Sequence, residues 1–381
     1  MTHVSVRPEL LRWAWERARF DLMEIEDRFP QYAAWERGEK QPTLKQLEKF
    51  AKATHTPIGY LFLSEPPQER VPIPDFRTMA DARMGSPSPD LLDTLYLCQE
   101  RQDWYREFML IEGGRPQPFV GSVHPGDDIV EVAEKIRRTI GFDLEARHKM
   151  PTWTDALRAF IGQADNAGIL VMVSGVVGSN NRRKLDPQEF RGFALSDDLA
   201  PLVFINGADT KAAQMFTLAH ELAHIWIAQS ALSDAGVSTL PDRETERWCN
   251  QVAAEFLVPM EMFKQQFNRH ADLRDELDRL ARQFKVSTLV VLRRMHDAGA
   301  LETDRYWAAF QEELKRLKKA AKGSGGDFYL TLGARVGKRF ARALVISTME
   351  GRSSFSEALR LLSFRKMATF DELGRNLGVM P

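Results

Sequence analysis

At 381 residues the chain is too long for one hydrophobic core and fits two or three domains. Its 44% hydrophobic and 28% charged residues are ordinary for a globular protein, and 52 Lys and Arg against 53 Asp and Glu give a net charge of -1. That balance excludes a whole-molecule field drawing it to nucleic acid or anionic membrane. Two cysteines, Cys98 and Cys249, exclude a disulfide framework. The first stretch lacks the apolar block of a secretion signal and no run approaches bilayer length, so a cytoplasmic protein is expected.

In chain order, residues 8 to 54 read as short helices broken by Pro30, Gly38 and Pro42. The clearest is "TLKQLEKFAKA", with Thr43 as N-cap and Leu44, Leu47, Phe50 and Ala51 on one face. The proline-rich "LSEPPQERVPIPDF" marks a boundary. A long helical period covers 88 to 111, ended by "GGRPQP", and "DDIVEVAEKIRRTIG" and "WTDALRAFIGQADNAG" predict two more amphipathic helices. The period then shortens. "GILVMVSGVV", "EFRGFALSD" and "PLVFING" predict three strands, after which helices resume at Lys211. "KGSGGD" sets off a C-terminal segment.

The chemistry concentrates in "FTLAHELAHIWIAQS", residues 216 to 230. A helix there puts His220 and His224 on one face a turn apart, where two imidazoles can share an ion, with Glu221 beside them. A hydrolytic zinc site needs a third protein ligand and an open position. The next helix, "RETERWCNQVAAEFLVP", offers Glu246, a turn ahead of Asn250 and in phase with the small residues Ala253 and Ala254. A carboxylate on a second helix after HExxH is the arrangement of the glutamate-type zincins, with the residue one turn on, Asn250, holding a ligand histidine from behind. Glu244, Asp242 and Asp234 remain rivals for the third ligand.

These motifs, "FTLAHELAH" and "ERWCNQVAAEFLVP", resemble the ImmA/IrrE family of metallopeptidases over about residues 150 to 300. The resemblance implies Zn2+ on His220, His224 and Glu246, and Glu221 as the base that activates the zinc-bound water. It also implies a substrate that is a regulatory protein, of repressor or antitoxin type, encoded by a neighbouring gene. Of the predicted strands, Leu202, Val203, Phe204, Ile205 and Asn206 form a candidate edge strand for holding an extended substrate by β-augmentation. Arg191 and Asn206 are candidates for stabilising the oxyanion.

"WERGEKQPTLKQLEKFAKA" resembles the end of a Cro/repressor-type (XRE-like) helix-turn-helix, over about residues 8 to 62. Only "PQYAA" stands where such domains carry the turn and the base-reading helix, so the module is expected to be degenerate. "LARQFKVSTLVVLRRMHDAGAL" has helix-turn-helix spacing as well, and also the pattern of a hairpin packed on the peptidase. Its Arg293 and Arg294, with Lys318 and Lys319 further on, are candidate nucleic-acid contacts.

The expected fold is α+β: a mostly helical chain around a zincin-like core, a small mixed sheet plus the HExxH helix, with helix-turn-helix-like modules. The expected domains are 1–70 (helix-turn-helix), 71–126 (helical linker), 127–270 (peptidase core), 271–322 (helix-turn-helix-like extension) and 323–381 (C-terminal helices). The expected function is zinc endopeptidase. The rival is a non-catalytic DNA-binding regulator or antitoxin with an idle or structural zinc site.

Overall fold

The computed structural model describes residues 3–75, 87–233, 244–320 and 333–380, without the side chains of 318–320. The chain forms two compact units, Met1–Pro72 with Met79–Leu95, and Ile73–Thr78 with Tyr96–Pro381.

The first unit holds α1 (Pro8–Arg17), α2 (Leu22–Arg28), α3 (Tyr32–Glu36), α4 (Leu44–Ala53) and a 3-10 turn, Ile58–Phe62. Reciprocal capping boxes start α2, between Asp21 and Glu24, and α4, between Thr43 and Gln46. Leu10, Leu11, Ile25, Tyr32, Trp35, Leu47 and Phe50 make its core. The expected shortening is visible: α3 has five residues, and two of them, Tyr32 and Trp35, point inward. Tyr32 stacks on Phe50 and accepts a 2.7 Å hydrogen bond from the Trp15 indole.

The division between the units falls within α5 (Pro89–Ile111). The second unit continues with α6 (Ile129–Ile140), α7 (Leu144–Lys149), α8 (Trp153–Asn166), the strands β1 (Leu170–Ser174), β2 (Gly192–Leu195) and β3 (Leu202–Asn206), and α9 (Lys211–Trp226). A short β4 (Ala231–Ser233), absent from the sequence expectation, precedes α10 (Glu244–Leu257). Then come α11 (Met260–Gln266), α12 (Leu273–Phe284), α13 (Thr288–Asp297), α14 (Thr303–Ala320), α15 (Lys338–Met349), α16 (Phe355–Leu362) and α17 (Met367–Asn376).

The sheet runs β1-β3-β2-β4, with β1 and β3 parallel and the other pairs antiparallel. Register puts Val171, Val203, Ile205 and Ala194 on one face, in the same core as α8, α9 and α10. The other face carries Met172, Phe193 and Phe204, and Met172 meets Cys98 and Arg101 of α5. A sheet covered on both faces needs continuous apolar strands, and "LVFIN" is buried at every position.

The expectation that Leu202, Val203, Phe204, Ile205 and Asn206 form an edge strand is corrected here. β3 lies inside the sheet, bonded to β1 on one side and β2 on the other, so its main chain is already paired. The edges are β1 and β4. The hairpin α12–α13 shares one core with α9 and α10 through Leu277, Leu280, Phe284, Val291 and Leu292.

Candidate metal centre

Thr210 caps α9, its hydroxyl accepting the Ala213 amide, and the helix is buried almost all round because the sheet covers one side and α10 another. α10 packs along α9, and the small residues Ala219 and Ala223 of one helix lie in the same core as Cys249 and Ala253 of the other. This close approach brings Glu246 onto the HExxH face.

His220 Nε2 and His224 Nε2 are 3.2 Å apart. The Glu246 carboxylate reaches both, Oε2 at 3.2 Å from His220 Nε2 and Oε1 at 2.9 Å from His224 Nε2. Two ring nitrogens and a carboxylate therefore converge on one point, and all three residues are buried. Ligands at about 2.0–2.1 Å from a tetrahedral ion lie about 3.3 Å from one another, so the spacing matches what one divalent ion would span. Among the described residues this is the one group of three or more such side chains placed to hold a metal.

Glu221 is fully buried beside the cluster. Burial pushes its carboxyl up to about 8; Glu246 adds to the rise, and His220 and the Ser233 hydroxyl oppose it. Burial also works against the charge of Glu246, yet His220 and His224 outweigh it and hold that carboxyl well below the usual range. His224 is pushed down by burial, partly offset by Glu246 and by the side chain of Gln229. Cys249 Sγ sits 3.9 Å from His224 Nδ1.

Of the rival ligands, Glu244 is exposed at the start of α10, and Asp234 and Asp242 lie outside the described residues. Asn250 is half-buried, one turn past Glu246. Asn206 has its side chain occupied: its amide donates to the Phe190 carbonyl at 3.1 Å and its oxygen accepts the Ala208 amide at 3.0 Å. Arg191 lies 3.6 Å from Asp209.

Arg294 is corrected as a nucleic-acid contact. It is buried and ion-paired with Glu255 of α10, so its guanidinium is not presented to a phosphate. Arg293 pairs with Asp297 at 2.8 Å. The side chains of Lys318 and Lys319 lie outside the described residues.

Residues that the sequence did not single out also shape the site. Gly192 of β2 faces α9 so closely that a Cβ there would come 2.6 Å from Thr217 Cγ2, 2.8 Å from the Phe204 carbonyl oxygen and 3.2 Å from Glu221 Oε1. Ser233 is its register partner on β4. A lone glycine in a strand was the available signal for close approach, but nothing local said to what.

Residues 164–296 match the family model of the IrrE N-terminal-like domain, and residues 336–376 match a domain of unknown function. No curated protein matches the chain. The matched segment holds both helices of the metal centre, the whole sheet and the α12–α13 hairpin, so this part of the chain is similar to the IrrE N-terminal-like domain.

Proposed function

We propose that the chain is a zinc-dependent endopeptidase that cuts a regulatory protein partner, of repressor or antitoxin type, encoded by a neighbouring gene. The observation that carries the reading is the Glu246 carboxylate bridging both imidazoles while a second buried carboxylate, Glu221, stands beside them outside the ligand set. A purely structural site has no use for that extra acid.

His220, His224 and Glu246 would hold the metal, a donor set of the kind found in catalytic zinc sites with a position left for water. Zinc bound there supplies a Lewis acid for the scissile carbonyl and lowers the pKa of water toward neutrality. Glu221, when ionised, accepts a proton and returns it to the leaving amine. The walls of α9 and β2 keep bulk water from its carboxylate, which is fully buried. The substrate class rests on the family resemblance. A regulator reading its operator through α3 would need outward polar side chains there, and Tyr32 and Trp35 of that helix face the core.

The test pairs two variants. Glu221→Gln is expected to keep one zinc per chain by elemental analysis yet lose at least a hundredfold in cleavage of the neighbour-encoded protein, because an amide cannot accept the proton. Glu246→Ala is expected to lose the metal. Undiminished cleavage by Glu221→Gln removes Glu221 as the base, and undiminished zinc in Glu246→Ala removes Glu246 as a ligand.

A further inference from the structure

The two edges of the sheet are both attended, in different ways. At β1, Gly337, with φ of 76°, approaches so closely that a Cβ would lie 3.0 Å from the Val171 carbonyl oxygen, and α15 follows it over the strand. That edge is closed by a folded helix. At β4, the occupant is two residues of an irregular segment: the Leu232 amide donates to the Pro74 carbonyl at 2.9 Å, and Asp75 pairs with Leu232 in the parallel sense.

Leu232 is the residue of β4 whose main chain points away from the sheet. It sits opposite Phe193, while the Ser233 carbonyl turns inward to accept the Arg191 amide at 3.3 Å, and the inward and outward directions alternate along a strand. The outward edge is next to the reactive groups, because Ser233 lies opposite Gly192, where a Cβ would come 3.2 Å from Glu221 Oε1. An extended peptide bonded to Leu232 would therefore pass beside the candidate base.

The occupying segment carries fewer donors than an ordinary strand. "VPIPD" has prolines at 72 and 74, which have no N–H to give a ladder. Pro74 and Asp75 are themselves exposed.

Resting on the peptidase reading, we propose that the outer edge of β4 is the strand on which an extended protein substrate pairs, and that residues 73–75 of this same chain hold that edge until a substrate displaces them. The segment is thus an internal competitor, with the prolines keeping its hold short enough to be displaced.

The experiment uses the full chain with Glu221→Gln, so that binding is read without cleavage. A fluorescein-labelled peptide of residues 69–78, ERVPIPDFRT, is titrated into that chain and into the same chain with Ile73→Gly, Pro74→Ser and Asp75→Gly. The replaced chain is expected to bind the peptide at least tenfold more tightly. Equal affinity, or no binding to the replaced chain, overturns the proposal. Ile73→Gly with Asp75→Gly, which loosens the segment by backbone freedom and leaves both prolines in place, should shift binding the same way by a smaller factor and serves if the triple replacement does not fold. Hydrogen exchange of the intact chain gives a second reading: the Leu232 amide must be slow there and become fast in the replaced chain while the β2–β4 bonds stay protected. A fast Leu232 amide in the intact chain overturns the proposal. Casein hydrolysis by the parental and replaced chains, both with Glu221, separates the two readings. Peptide binding as expected with no hydrolysis by either chain counts against the peptidase and for the paired edge.

Discussion

At the scale of single residues, the site is governed by two carboxylates in one dry pocket with opposite fates. Glu246 is held ionised by two imidazoles, and Glu221 is pushed up to about 8 mainly by burial. Folding of the metal-free protein must then bind a proton at Glu221 between the ordinary carboxylate range and pH 8, since the unfolded chain would have released it. A raised folded pKa gives stability that is complete below the unfolded value and lost as pH rises through the folded one, at about 1.4 kcal/mol per pH unit. Glu221→Gln carries no proton to lose. In chelator, its melting temperature is expected to gain on the parent steadily from pH 5 to pH 8, the comparison cancelling His224 and Glu246; parallel curves would show that Glu221 is not raised. Gly192 belongs to this scale too. Gly192→Ala drives a methyl into Thr217 and the Phe204 carbonyl, and a loss of about 1–3 kcal/mol in denaturant unfolding is expected. How much of this was readable beforehand differs by residue. His220, Glu221 and His224 are legible because helix period alone aligns them, whereas Gly192 comes against Glu221 only through strand register, which no local pattern encodes.

At the scale of elements, α10 explains why the second helix of the centre is so firmly placed. Its C-terminal carbonyls are taken up by arginines: Arg137 bonds the Glu255 carbonyl at 2.9 Å, and Arg147, itself buried, bonds that of Leu257. Glu255 is clamped by Arg294 from α13 and caps Met260 of α11 at 3.2 Å. The α12–α13 hairpin is thereby tied to the helix that carries Glu246. Removing one partner of a buried pair leaves the other charge stranded, so Arg294→Ala is expected to cost about 3–5 kcal/mol in denaturant unfolding, while Arg293→Ala, at a half-exposed pair, costs about 0.5 kcal/mol or less. Equal small effects would mean that Arg294 is solvated. The sequence offered both arginines as one basic pair. Adjacent positions on a helix point about 100° apart, so one entered the core and the other stayed near solvent.

At the scale of the whole molecule, α9 and α10 both lie in the second compact unit, and a metal shared between them would tie that unit together. Chelator is therefore expected to lower the melting of this unit by about 10 °C, if the metal is present at about a thousandfold its dissociation constant, and to leave the melting of the first unit unmoved. Calorimetry with and without chelator checks this, and a uniform fall of all transitions would contradict it. The sequence by itself determined the helical character of the chain, the short third helix of the first unit and the HExxH helix, and it favoured Glu246 over Glu244, Asp242 and Asp234 by helix phase. Each of these is written in spacing along one helix or in the length of one segment. Only the tertiary structure decided that "LVFIN" is interior, that a three-residue β4 exists, and that Pro74 lies against it. Which strand is an edge depends on the order of pairing. That order is set by which faces the helices cover, and a fully buried strand reads the same in sequence wherever it stands in the sheet.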